Sequence, residues 1–260
     1  MDLTDNIESG FTLVSVNVEH DKHHDRIIAF LRDRKPHIAC FQEFPAHWVP
    51  EFARMFGMHA HFQPTVRGVP RSTHDERNPD GLDGLCILSA FPFEKQGLIY
   101  YVDKGTDLPV WKGQPNTALR ALLHATVKGP DKQLYRIGTL HHTWTVEGWV
   151  TDLQKMETVA LLDALVYYFD DIVFMGDFNA PRILKDGQPG ETFASIARRY
   201  NDNIPVSVTT TIDAKLHKGG DLQLVVDGLF STPHYNVRDV EVVSGVSDHC
   251  AIMAKVSRCM

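Results

Sequence analysis

The segment Ile172-Val173-Phe174-Met175-Gly176-Asp177-Phe178-Asn179 runs from apolar, strand-forming residues straight into a glycine, a carboxylate and an amide. A short buried strand with this ending sets its polar residues on a rim, where a rigid element fixes them. The habit recurs along the chain. Asn17 lies in the first apolar run, Cys40-Phe41 leads into Gln42-Glu43, and Thr139-Leu140 leads into His141-His142. Residues 224–226 meet Asp227, and Ser247-Asp248-His249 opens the last apolar run. Singly, each has a plain structural reading. Asp or Asn after a strand is commonly a turn residue with an Asx hydrogen bond, a Glu there is commonly solvated, and a lone His is commonly hydrogen-bonded in surface or core. Repetition over successive strands favours one shared rim.

The residue types suit phosphoester chemistry. A hard cation such as Mg²⁺ prefers oxygen ligands, takes one or two carboxylates and keeps several waters. Glu43 suits that role, with the Asn17 amide oxygen beside it. Cleavage also needs an activated water and stabilised charge on the phosphate oxygens. Asp177 and Asn179, two apart across one turn, can both face a reacting phosphate. Asp227 and His249 can pair, fixing the tautomer and orientation of the imidazole.

Outward from these segments, the pattern predicts strands over residues 11–18, 37–41, 85–89, 96–102, 118–127, 134–140, 172–175, 224–230, 237–243 and 250–256. Helices are expected over 21–35 (Ile27, Phe30 and Leu31 at helical spacing), 46–56, 147–166 and 192–200. In the third, Leu153, Met156, Ala160 and Ala164 share a face. Residues 63–84 read as a long polar loop carrying Arg67, Arg71, His74 and Arg77, and loops of that length are often functional. Consecutive strands favour an α+β class over regular alternation. Two sheets packed face to face, with helices on their outer faces, would house every element in a single domain spanning 1–260.

Composition sets limits. The net charge of −7 argues against indiscriminate binding to nucleic acid but leaves room for a basic rim around an acidic site. The N-terminal residues are polar and acidic, unlike a secretory signal, and no apolar run reaches a membrane span. Cys40, Cys86, Cys250 and Cys259 have no metal-ligand or redox spacing. The first three read as buried thiols, so a reducing cytoplasm is the expected compartment.

The motifs together resemble the endonuclease/exonuclease/phosphatase superfamily of metal-dependent nucleases, DNA-end phosphodiesterases, sphingomyelinases and inositol polyphosphate phosphatases. The resemblance rests on Ser-Val-Asn-Val at Asn17, Cys-Phe-Gln-Glu at Glu43 and Gly84-Leu-Cys-Ile-Leu-Ser-Ala-Phe-Pro92. It continues through Thr-Leu-His at His141, Gly-Asp-Phe-Asn-Ala at 176–180, Val226-Asp227-Gly228-Leu229-Phe230 and Ser-Asp-His at 247–249. It implies a four-layer α/β/β/α sandwich with the site at one end of the paired sheets, and Mg²⁺, with Mn²⁺ as a substitute, as cofactor. It further implies Glu43 as main metal ligand with Asn17 and Asp248 assisting, Asp177 and Asn179 acting on the nucleophile, His249 with Asp227 as base or phosphate stabiliser, and His141 stabilising the transition state. Arg120 is similar to a strand arginine directed at phosphate, or is a surface arginine.

Two positions depart from the pattern. Ala90 and Gly228 stand where relatives often carry basic residues, which would remove charge near the substrate path. The expected activity is hydrolysis of phosphodiester bonds in nucleic acid, including DNA repair, by a monomer. The alternative is a small-molecule or lipid-headgroup phosphoesterase, although no apolar insertion or basic amphipathic helix offers membrane docking. Trp111, Trp144 and Trp149 either stack on bases or pack internally. A non-catalytic scaffold would be expected to lack equivalents of Glu43, Asp177 or His249, and all three are present.

Overall fold

The computed structural model describes residues 10–69, 81–102, 107–112, 118–145 and 150–259. Arg71, His74, Arg77 and Trp149 lie outside them. The first half of the chain forms β1 (Phe11–Asn17), α1 (His24–Arg34), β2 (Ile38–Pro45), α2 (Trp48–Phe56), β3 (His59–Val66) and β4 (Asp83–Ser89). Then come β5 (Phe93–Tyr100), β6 (Ala121–Lys128), β7 (Leu134–His141), α3 (Asp152–Tyr168), β8 (Val173–Asp177) and α4 (Glu191–Ala197). The chain closes with β9 (Asn201–Asp202), β10 (Asp227–Ser231), β11 (Tyr235–Val243) and β12 (Ala251–Arg258).

These strands make two six-stranded sheets, ordered β11-β12-β1-β2-β4-β3 and β5-β6-β7-β8-β10-β9. Each contains one parallel pair, β1 with β2 and β7 with β8, spanned by α1 and α3 respectively. Parallel neighbours need such a crossover. Alternate residues of each strand face opposite layers. Leu13, Ile38 and Ile87 of one sheet meet Leu123, Ile137 and Met175 of the other in a shared core. On the outer face of the first sheet, Val14, Val16 and Phe41 pack under Ile27, Leu31, Trp48 and Phe52 of α1 and α2. On the outer face of the second, Leu122, Leu140 and Phe174 pack under Leu161 and Leu165 of α3 and Phe193 and Ile196 of α4. The result is the expected α/β/β/α sandwich.

The topology brings the polar segments to one rim. Parallel pairing sets Asn17 beside Gln42 and His141 beside Asp177. The antiparallel neighbours begin at the same end: Asp227 opposes Asp177, and residues 248–249 precede the strand that pairs with β1. Gln42 ties the sheets together just beneath the rim, its amide donating to Ser15 Oγ at 3.1 Å and to Thr139 Oγ1 at 2.8 Å.

The structure corrects four readings. Residues 63–66, expected in a loop, end the edge strand β3; its Pro64 and histidines obscure the strand pattern, and proline is tolerated at an edge. Residues 224–226 are not strand, and β10 opens at Asp227. The face of α3 carrying Leu153 and Met156 is outward, with Met156 64% exposed, while Gln154, Glu157, Thr158, Leu161, Leu162 and Leu165 are buried. The first half of α3 covers hydrogen-bonding groups, so its buried stripe is polar and apolar periodicity misreads it. Finally, neither Ala90 nor Gly228 faces the rim that carries the polar strand ends. Strand β4 is antiparallel to β2, so Ser89 pairs with Ile38 at the end away from Glu43, and Ala90 follows it. A Cβ on Gly228 would meet the Phe178 and Phe230 rings at 2.6 Å, in the α3/α4 layer.

Candidate active site

Glu43 owes its aim to a β-bulge. The pairing of β2 with β4 shifts register between Phe41 and Phe44, and Glu43 takes a left-handed φ of 56°. Bulges commonly re-aim a side chain beside an active site. The Glu43 carboxylate receives the Asn17 amide at 3.2 Å, lies 3.1 Å from His20 Nε2, and faces His141 Nε2 at 3.8 Å. Burial works to raise its pKa, but His20, His141, the Asn17 hydrogen bond and His249 outweigh that and hold it below the ordinary value.

Asn17 also donates to Asp177 Oδ2 at 3.1 Å, while its amide oxygen accepts from the Glu19 backbone N–H at 3.1 Å. In this arrangement Asn17 orients two carboxylates through its NH₂.

Asp177 stands at the end of β8 after Gly176, whose φ is +147° and whose Cβ would lie 2.0 Å from Leu140 O. Only glycine permits that approach of β8 to β7. Asp177 Oδ1 accepts from the Asn179 backbone N–H at 2.7 Å, closing an Asx turn, and Asn179 has a left-handed φ of 50°. The Asn179 side chain donates to His142 O at 3.0 Å.

His141 Nε2 and His249 Nε2 approach Asp177 Oδ2 at 3.5 and 3.8 Å. His249 Nδ1 lies 2.9 Å from Asp227 Oδ2, as the sequence suggests. Asp248 is 8% exposed and accepts from the Ser247 hydroxyl at 3.1 Å.

Burial pushes the Asp177 pKa up to about 7, with Asp227 adding to the rise and His249 opposing it. Burial likewise raises Asp248 to about 6, aided by Glu43 and Glu19. For His249 burial lowers the pKa, but Asp227, Asp177 and Asp248 overcome it and hold the imidazole well above its ordinary value. His141 is carried down to about 3 by burial, with Arg120 adding to the fall against Glu43. The site thus pairs a protonated imidazole with a neutral one.

Of the two adjacent histidines, His141 faces these carboxylates. His142 is buried behind them, in contact with the Tyr101 hydroxyl at 3.1 Å and Thr158 Oγ1 at 3.2 Å. Arg120 is not a surface residue: it is 6% exposed, and donates to Thr143 Oγ1 at 2.9 Å and His141 O at 3.2 Å. It fixes the backbone that carries His141.

Several participants escaped the sequence reading. His20 bridges Glu43 and Asp83, with Nδ1 2.6 Å from the Asp83 carboxylate. Gln154 of α3 donates to the carbonyls of Thr143 at 2.7 Å and Asn179 at 3.0 Å. The His-rich run after Asn17 was a signal for the first. Nothing in the pattern marked Gln154.

The donors fit a divalent cation. Two groups of three side chains, Glu19–His23–Asp248 and Asp177–Asp227–His249, each bring one polar atom per residue within 4.8 Å of the others, although in the second the protonated His249 serves as a counter-charge and not as a donor to a metal.

A doubled β-sheet carrying carboxylates, amides and imidazoles from both sheets at one rim defines a phosphoester hydrolase site. The chain belongs to the endonuclease/exonuclease/phosphatase family, whose model matches residues 14–249, and is a hydrolytic enzyme of that class. Among solved structures, an endonuclease/exonuclease/phosphatase from Beutenbergia cavernae is 17% identical, with a TM-score of 0.74 over 96% of this chain and 72% of that one. TDP2 of D. rerio complexed with single strand DNA product is 17% identical, with a TM-score of 0.65 over 96% and 99%. A mannosyl-6-phosphatase of Bacteroides thetaiotaomicron is 14% identical, with a TM-score of 0.63 over 94% and 98%. No curated protein sequence matches the chain.

Proposed function

We propose that this protein is a Mg²⁺-dependent phosphodiesterase acting on nucleic acid, for which Mn²⁺ can substitute. The observation that carries the reading is the enclosure of Asp177 between His141, His249 and Asn17, within reach of the Glu43 side. Glu43 and Asp248 would hold a divalent cation, which would supply Lewis-acid neutralisation of charge on a phosphate oxygen. The chain's own groups do the rest. Asp177, with a pKa raised towards neutrality, is matched to accept a proton from an attacking water. His249, kept protonated and oriented by Asp227, donates to a phosphoryl oxygen as charge develops. His141 lends a neutral imidazole, and Asn179 holds the turn that aims Asp177.

Nucleic acid is favoured by aromatic and basic groups beside the rim. Trp111 packs edge-on against His20 at 6.0 Å, and its backbone pairs with that of the exposed Arg67. Trp144, three residues beyond His141, is 41% exposed. Aromatic faces of this kind stack on bases without sequence preference. Cys40, Cys86 and Cys250 are buried free thiols, in keeping with a reducing cytoplasm, and among the described residues no helix is long and apolar enough to cross a membrane. A small phosphoester is the second reading, favoured by the net charge of −7 and by likeness to a sugar phosphatase.

The test is cleavage by wild type and Asp177→Asn of single- and double-stranded DNA, abasic DNA, RNA, 5′-tyrosyl DNA, inositol phosphates and sugar phosphates, with Mg²⁺, Mn²⁺ or EDTA. Metal-dependent cleavage of a nucleic acid, lost in the variant, is expected. Activity confined to the small phosphates would move the assignment to the second reading.

A further inference from the structure

Strands β7 and β8 end together, His141 against Asp177, and the His142 N–H donates to Asp177 O at 2.8 Å just beyond the ladder. From there a loop carries each chain away, and Gln154 in the first turn of α3 takes over. The helix begins at that point because Thr151 caps it, its hydroxyl accepting from the Gln154 N–H at 3.2 Å. The Gln154 side chain is fully buried, and its NH₂ donates to Thr143 O at 2.7 Å, Asn179 O at 3.0 Å and Phe178 O at 3.4 Å. One amide thus holds both the loop that leaves His141 and the loop that leaves Asp177. Chemistry fixes its orientation, since the amide turned over would set an oxygen against three carbonyl oxygens. Gln154 Oε1 is buried and accepts from no group among the described residues. A buried acceptor left bare is costly, so the side chain is held there for its donors.

We infer, on the phosphodiesterase reading of the site, that Gln154 is a positioning residue for the reaction, setting the spacing of His141 and Asp177 by clamping the two loops that follow them. His141 Nε2 stands 3.5 Å from Asp177 Oδ2, too far for a strong hydrogen bond, so the backbones that carry the two groups decide the gap. Neighbours reinforce the clamp. Asn179 donates to His142 O at 3.0 Å, Arg120 Nε to Thr143 Oγ1 at 2.9 Å, and the Thr143 hydroxyl to Glu157. Gln154 is the member that joins both loops to a helix packed on the core, a firmer anchor than either loop. A displacement of about 1 Å at reacting groups costs on the order of a hundredfold in rate.

The test compares kcat, KM and the half-saturating Mg²⁺ concentration for bis-p-nitrophenyl phosphate, a phosphodiester with no base or sugar to bind elsewhere. Gln154→Met keeps the length of the side chain and removes both donors. It is expected to lower kcat by about tenfold to a hundredfold, with KM and the Mg²⁺ requirement within about twofold of wild type, as for an interaction felt only in the transition state. Gln154→Asn keeps an amide but draws it back one methylene from the loops. It should show the same kcat loss, and it carries the test if the methionine variant fails to fold. Leu165→Ala is the stability control: wholly buried, about three turns further along the same helix. It should melt lower than wild type and keep its kcat.

A kcat within about twofold of wild type in either folded Gln154 variant would overturn the inference. So would a rise in KM or in the Mg²⁺ requirement at unchanged kcat, or a kcat loss in Leu165→Ala equal to that of the Gln154 variants. Each of these outcomes, with wild type active, leaves the phosphodiesterase standing and removes the positioning role alone. Wild type silent on this diester with both Mg²⁺ and Mn²⁺ would remove the parent reading, and the positioning role with it.

Discussion

A carboxylate enclosed by protein is costly to ionise, and Asp177 is 1% exposed. Its pKa is about 7 in the folded chain against an ordinary 3.8. Between those values the folded state holds a proton that the unfolded state has released, so this group lowers stability as pH rises from about 4 to 7. By pH 8 the whole cost is present. Asp177→Asn removes the charge and keeps one of the two accepting oxygens, so the hydrogen bond from either Asn17 or the Asn179 backbone is lost along with it. It should raise the melting temperature of metal-free protein at pH 8 by roughly a few degrees, leave it nearly unchanged at pH 4, and abolish cleavage. A variant that melts below wild type at pH 8 would show that the lost contacts outweigh the burial cost. Gly176 is a backbone requirement of the same site. Gly176→Ala would drive a Cβ into Leu140 O, and loss of about 2 kcal/mol or more is expected in urea denaturation.

At the level of elements, the helix α3 provides a sharp comparison. Its outward apolar residues include Met156, Val159 and Val166, whereas Leu161 and Leu165 are wholly buried. Met156→Lys should therefore change stability by no more than about 0.5 kcal/mol, while Leu161→Ala should cost roughly 2–5 kcal/mol. Chemical denaturation of the two variants checks which face the helix buries. The sequence pattern pointed to the wrong one because Gln154, Glu157 and Thr158 are buried by hydrogen bonding, which hydropathy does not register. Strand β3 was hidden for a related reason, since Pro64 sits at an edge where its missing N–H is harmless. By contrast β1, β4, β7 and β8 were legible, being buried on both faces and rich in β-branched or aliphatic residues. The polar endings of these strands were legible too, and the structure brings Asn17, Glu43, His141, Asp177, Asn179, Asp227, Asp248 and His249 together. What spacing could not convey was the left-handed bulge at Glu43, the amide orientation of Asn17, or the return of residues 19–23 over the rim.

For the molecule as a whole, the site exists only where the two sheets meet. Asn17, Glu43 and Asp248 belong to one sheet or its entry, and His141, Asp177 and Asp227 to the other. Carboxylates from both sheets meet across this seam at the Asn17 amide, which donates to Glu43 and to Asp177, and on the first sheet's side Glu43 and Glu19 both raise the Asp248 pKa. A cation that neutralises them acts on the folded state alone, because the unfolded chain scatters these ligands. Binding linkage then stabilises by about 2.7 kcal/mol at a concentration one hundred times Kd. For a chain of this size that is a rise of roughly 5–10 °C in melting temperature. Mg²⁺ is expected to produce that rise in wild type, EDTA to reverse it, and Glu43→Gln to lose most of it. If Glu43→Gln kept the full shift, Glu43 would not be a ligand, and its bulge would serve only to carry the hydrogen bonds from Asn17 and His20.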